Sequence, residues 1–308
     1  MGVLRRMRAI RAGTSLRKWI GLASRPALRL VLAAGWMVTA VALHGQEAAP
    51  AGMDATALVR RAIQRWPAEE KNHRPMQYLL RKQDDRHDTT KEIVETRDGD
   101  VARLVAVDGK PLSADADRAE LERLDDLEKY PELQQHRKRS EQKDQDRVDR
   151  LLEMLPDAFV YRVEGLEPCA AGRCYRLSFT PNAKWQPPDL ESEFFRGVEG
   201  EVWISQSAER VTRLDARFVA DVSIGLGIVG KLYKGGTVTL EQADVGGGDW
   251  ELTRMTVHVT GKVFLVKSMS YQMTQEASHF SPVAPGIGYV AAIEMLKRLP
   301  MNGTAGEK

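Results

Sequence analysis

Two cysteines in 308 residues are too few for a disulfide-built scaffold or a thiolate metal centre. Beyond residue 46 no run of 18 apolar residues occurs, so the body of the chain offers no membrane-spanning helix. No serine sits in a G-x-S-x-G elbow, no histidine pair has His-x-x-x-His spacing, and no calcium-type aspartate loop is present. Internal repeats are missing too. What remains is 43% hydrophobic and 29% charged, enough for a large core and too apolar for a disordered chain.

A basic surplus is also missing from the body. The formal net charge is +2, yet residues 1–46 hold eight basic residues, from Arg5 to Arg29, and neither Asp nor Glu. Removing those eight from the 45 basic residues leaves 37 against 43 acidic ones. An acidic body argues against nucleic-acid binding. The basic leader runs into Leu30–Leu43, fourteen uncharged residues, and then into the small-residue pattern Ala40-Val41-Ala42 and a polar run after Gln46. This order predicts a secretory signal peptide over residues 1–46, cleaved on export, and a periplasmic protein. The alternative, an uncleaved anchor, is disfavoured because fourteen helical residues rise only about 21 Å against a hydrocarbon core of roughly 30 Å.

Cys169 and Cys174 flank a short turn between two strand-like segments, and in an oxidising compartment a disulfide pinning that hairpin is expected. Leu58, Ala62 and Trp66, with Val59 and Ile63, give a helix over Met53–Trp66 one apolar face, ended by Pro67. Strands are expected at Met76–Gln83, Lys91–Arg97 and Val101–Val107, the last two joined by Asp98-Gly99. A long, polar helical arm follows over 114–155, broken at Pro131; its stretch from Glu132 to Arg147, where Leu133 is the one apolar residue, reads as solvated, and Val148, Leu151, Leu152 and Leu155 then return the chain to the core.

From Asp157 onward the pattern is antiparallel sheet. Strands are expected at Ala158–Gly165, Cys174–Pro181, Gly200–Gln206, Arg210–Ile224, Lys231–Ala243, Asp249–Val259 and Lys262–Gln275, with a turn at Thr260-Gly261. A closing helix at Gly286–Leu299 and a disordered tail at 300–308 complete a single domain over 53–299. In Val211–Ile224 the even positions are mostly apolar and the odd ones mostly charged, and Lys262–Gln275 alternates likewise. The fold class is therefore α+β, mainly β: one curved antiparallel sheet wrapped over helices. The greasy faces supply candidate ligand-binding residues Leu214, Phe218, Val222, Leu265, Met269, Tyr271 and Met273, for each of which ordinary core packing is the competing reading.

Three other features carry less. Gly225-x-Gly227-x-x-Gly230 has the letters of a dinucleotide fingerprint, but strand and turn residues follow where a helix is required. Asp84, Asp85, His87 and Asp88 fall in a hairpin loop without metal-ligand spacing. Ser278-His279 lacks a nucleophile elbow. No catalytic residue, metal or cofactor is expected.

The order of signal peptide, amphipathic helix Ala55–Trp66, consecutive strands and inserted helical stretch resembles the periplasmic lipoprotein-carrier (outer-membrane lipoprotein-sorting, LolA-like) family. So do the Val202-Trp203-Ile204 strand and Arg213-Leu214-Asp215-Ala216 with the glycine corner after it. The resemblance implies an incomplete β-barrel capped by helices, holding an acyl chain in a hydrophobic cavity without catalysis. In that family an arginine on an early strand helps hold a lid, and Arg81 lies in the comparable region. The expected function is thus a carrier or sensor for a lipid or acylated protein cargo. The alternatives are a hydrolase assembled from the Asp84–Asp88 loop and His279, and a scaffold binding an envelope protein partner through the charged arm.

Overall fold

The computed structural model describes residues 52–70, 73–227, 229–263 and 267–300, without the side chains of 66–70. The leader, the Trp66 ring, Phe264, Leu265 and residues 301–308 lie outside the described residues.

Helix α1 (Ala55–Glu70) begins where the Asp54 carboxylate accepts a hydrogen bond from the Ala57 amide at 3.0 Å, satisfying one free donor of the first turn. Leu58, Val59 and Ala62 form its buried stripe. The helix runs past the expected stop at Pro67. A proline removes only its own bond to the carbonyl four residues back, and so close to the end little of the ladder is lost.

Next come β1 (Met76–Asp84), β2 (Asp88–Val94), β3 (Val101–Val107) and β4 (Lys110–Pro111), then α2 (Ala114–Lys129) and α3 (Pro131–Ala158). The remaining strands are β5 (Phe159–Cys169), β6 (Gly172–Pro181), β7 (Val198–Ser205), β8 (Val211–Phe218), β9 (Val222–Ile224), β10 (Gly230–Leu232), β11 (Thr237–Asp244), β12 (Trp250–Val263) and β13 (Lys267–Pro282). A 3-10 turn at Ser192–Gly197 precedes β7, and α4 (Tyr289–Lys297) closes the chain.

All ladders are antiparallel, in the order β4-β3-β2-β1-β13-β12-β11-β8-β7-β6-β5, with β9 and β10 branching from β12. The end strands β4 and β5 do not pair with each other, so the sheet curls without closing. The fold is α+β, mainly β: an incomplete barrel capped by helices.

Several boundaries differ from expectation. β2 ends at Val94 because Thr96 turns the chain, its hydroxyl bonding the Gly99 carbonyl at 2.7 Å. The segment 210–224 splits into β8 and β9, and 231–243 into β10 and β11. At the break Asp221 accepts from the Lys234 amide at 2.9 Å and the chain leaves β11 to pair with β10. Thr260-Gly261 is not a turn but lies inside β12. A Cβ at Gly261 would sit 2.2 Å from the Lys231 carbonyl oxygen, so this glycine serves close backbone approach.

Register fixes which side chains share a face. Phe179, Gly200, Ala216, Val238, Val257 and Met273 form one row across six strands, and Leu177, Val202, Leu214, Leu240, Met255 and Gln275 the next. The opposite face carries Trp203, Arg213, Glu241, Arg254, Glu276 and Arg81, with charges alternating in sign from Arg213 to Arg81. Arg81 is engaged there by the Asp88 carboxylate at 2.6 and 3.0 Å.

Two cores anchor the two ends of the sheet. The first packs α1 against β5–β8, with the Phe159 ring edge-on to Phe179 and Phe195 at 4.9 and 5.4 Å. The second packs α2 and α4 against Val94 and Val101, one residue out of phase with the first face and therefore on the other side. Arg103, 2% exposed, stitches this core. It donates to Asp117 at 2.7 Å and to the Leu296 and Leu299 carbonyls at the end of α4 at 2.6 and 3.0 Å. Helix α2 also covers the edge of β3. Glu120 accepts from the Leu104 amide at 2.8 Å and Arg123 donates to the Ala102 carbonyl at 2.5 Å, so those edge groups are not left open for pairing.

Candidate functional site

The charged stretch expected to be solvated is instead fastened near the start of α3, while its far end returns to the core as expected. Near the start of α3, Gln134 is buried and donates to the Asp98 and Gly99 carbonyls at 3.0 Å each. Lys138 reaches the Arg97 carbonyl at 2.7 Å, and Glu141 accepts from the Asp100 amide at 3.2 Å. At the other end Leu151, Met154 and Leu155 pack on the first core, and the Tyr161 hydroxyl donates to the Leu155 carbonyl at 3.0 Å. Its 28 residues span about 42 Å. The helix thus straps the β2–β3 turn to the β5 end of the sheet.

An apolar stretch, the trough, lies on the sheet face between β8 and β1. Val238, Leu240, Met255 and Val257 on β11 and β12 are half-buried and belong to neither core, while Met273 beside them on β13 is buried. Its floor is closed toward the first core at Gly236, where a Cβ would lie 3.0 Å from the Phe218 ring and 3.3 Å from Val259. The missing side chain is the space those two groups fill.

The residues expected to line a ligand site therefore fall into three places. Phe218 and Val222 are buried in the first core and Leu214 packs against it. Met269, Tyr271 and Met273 share the trough face on β13, with Tyr271 40% exposed and its hydroxyl 3.2 Å from the Met273 sulfur. Leu265 lies outside the described residues. Met255, whose type suits an adaptable pocket, lies on this face as well, whereas Leu240 and Val257 escaped notice in the sequence although their in-phase partners across the ladder were apolar.

The β1 side of the trough is titratable. Tyr78 is stacked on Phe280 at 5.1 Å, and burial pushes its hydroxyl pKa upward. Around it, His73 lies 2.6 Å from Glu95 and 3.5 Å from Glu251. The hydrogen bond to Glu95 raises the His73 pKa to about 8. Burial, reinforced by Glu95, lifts Asp100 and Glu251 to about 7 each. Among the described residues no group has the arrangement of a metal site.

The other features noted in the sequence resolve locally. Gly225, Leu226 and Gly227 all have positive φ and form a turn between antiparallel β9 and β10, with no helix to receive a pyrophosphate. Asp84 accepts from the Arg86 and His87 amides at 2.8 and 3.0 Å, a self-contained turn whose bonds hold its carboxyl below the usual range. Asp84 pairs with Met273 and Leu79 with Ser278, so His279 sits about 16 Å along the ladder from that loop, and the two do not assemble. Cys169 and Cys174 form the expected disulfide. An open cleft of about 450 Å³, lined in part by Asp157, Lys184 and Trp185, lies at the β5 edge beside the end of α3.

No family model and no curated protein matches the chain. Among solved structures it is similar to a DUF1329 family protein from Desulfovibrio piger, at 11% identity over 76% of this chain and 95% of that one, TM-score 0.26. It is also similar to a putative outer membrane lipoprotein-sorting protein domain from Vibrio parahaemolyticus, at 10% identity over 78% and 100%, TM-score 0.24. A third likeness is to the Pseudomonas aeruginosa MucA/MucB complex, at 11% identity over 75% and 100%, TM-score 0.22. The second of these is named for the family that the sequence resembles, and scores at this level assign no ligand or activity to this chain.

Proposed function

We propose that this is an exported, non-catalytic binding protein that holds an apolar chain, of a lipid or an acylated cargo, in the trough. The observation that carries the reading is the pair of rows Val238–Val257 and Leu240–Met255, apolar and in register yet packed into neither core. Water over such a face is costly, and each methylene laid on it contributes about 0.8 kcal/mol without needing a polar partner. Measured along the sheet, β8 to β1 covers about 19 Å, wide enough for an extended chain to lie on. Action outside the reducing cytosol is supported by the Cys169–Cys174 disulfide and by the basic, then apolar, order of residues 1–46.

Native mass spectrometry of the purified chain tests this, with solvent extraction of whatever is released. The expected result is a protein-bound mass that extracts as lipid, and displacement of a fluorescent fatty-acid probe from the emptied protein. A homogeneous unliganded protein that also fails to bind the probe would overturn the reading.

A further inference from the structure

We propose that the β9–β10 turn is a docking tip that enters the interface of an anionic lipid bilayer. Leu226 is 93% exposed and stands at positive φ between two glycines that are also left-handed. Neither burial nor backbone preference explains a leucine there, since the left-handed region is unfavourable for a branched apolar residue and its side chain meets water. Two neighbours enlarge the patch. Val229 and Leu190, 43% and 49% exposed, are the side chains that a Cβ on Gly225 would touch.

Charge decides between occupants. Lys231 and Lys262 are directly opposed across the β10–β12 ladder, Lys267 begins the neighbouring strand, and exposed Lys234 follows β10. The acids close by are fewer than the cations: Asp221 pairs with the Lys231 ammonium at 2.9 Å, Glu193 accepts from the Gly225 amide at 2.8 Å, and Asp189 and Glu191, which flank Leu190, pair with Arg150 and Arg147 at 3.5 and 2.8 Å. The tip therefore carries a surplus of positive charge on a chain whose remainder beyond residue 46 is acidic. A convex apolar tip behind a lysine collar matches acyl chains below and anionic headgroups above. A protein partner would need a pocket shaped for one leucine, whereas a bilayer accepts the tip without shape complementarity. The inference uses none of the trough residues and stands or falls separately from the proposed ligand.

Both native cysteines are tied in a disulfide, so Leu226→Cys accepts a single polarity-sensitive fluorophore, with Val229→Cys as a second reporter. The label reports the tip alone, so vesicle binding through any other segment leaves it silent. With phosphatidylcholine vesicles containing phosphatidylglycerol, the emission is expected to shift to the blue and brighten severalfold at both positions. Lys262→Gln and Lys267→Gln should each weaken vesicle affinity about fivefold. Silence of both reporters, an equal response to purely neutral vesicles, or a response to envelope proteins in the absence of lipid would overturn the proposal.

Discussion

Asp100 places a carboxyl where ionisation is penalised, and replacing it with Asn should make the protein more stable at alkaline pH and leave it unchanged in acid. Burial, then the charges of Glu95 and Glu141, raise its pKa from 3.8 to about 7, against the opposing pull of Arg137 and His73. The folded state therefore keeps a proton that the unfolded chain gives up between pH 3.8 and 7. Folding stability drops across that window, and the whole penalty is present above it. Taken alone the difference corresponds to about 4 kcal/mol, at roughly 1.4 kcal/mol per pH unit. Rearrangement of the neighbouring carboxylates shares that cost, so about 2 kcal/mol is expected for Asp100→Asn at pH 8.5 and close to zero at pH 4. Urea unfolding of both proteins across this range measures it, and titrations uncoupled from Asp100 cancel in the difference. A gap that stays constant with pH, or a wild type more stable at pH 8.5, would refute the reasoning.

Further outcomes follow from other features. His73, held at about 8 by Glu95, contributes stability that is complete below its ordinary 6.5 and is lost as pH rises through 8; His73→Gln should flatten the stability profile there in thermal melts. Arg103→Met leaves Asp117 buried without its partner and should cost about 3–5 kcal/mol in denaturant unfolding, most of it recovered by adding Asp117→Leu. Replacing both cysteines with serine should remove about 2 kcal/mol, in keeping with the short loop they close, and should raise amide exchange in the β5–β6 hairpin above that elsewhere. Val257→Asp puts a charge on the trough wall and should weaken fatty-acid probe binding more than tenfold, with the melting transition still cooperative. A probe affinity equal to wild type would move the ligand site elsewhere.

The parts legible in the sequence are those governed by neighbouring residues. Alternation over Val211–Ile224 showed the two-faced sheet, Asp98-Gly99 the hairpin, and the Cys169–Cys174 spacing the crosslink. The parts hidden are those decided across the chain. Gly261 resembles a turn residue, and its reason for being glycine is a carbonyl thirty residues upstream. Gln134 has no apolar signal, because what buries it is a pair of hairpin carbonyls that accept its amide. The pairing of β1 with β13 brings His73, Glu95, Asp100 and Glu251 together from three distant stretches, and no local spacing announces it.

Helix α3 has a mechanical meaning beyond its contacts. An α-helix cannot shorten or lengthen without breaking its ladder, so a 28-residue strut fastened at both sides acts as a caliper on the half-barrel. The gap between the β2–β3 turn and β5 is then fixed by a residue count and not by the softness of the sheet. The fastenings differ in kind: side chains on backbone carbonyls at one side, greasy packing at the other. Water competes for the exposed Lys138 contact and not for the packing, which makes the β2–β3 side the buckle and the β5 side the hinge.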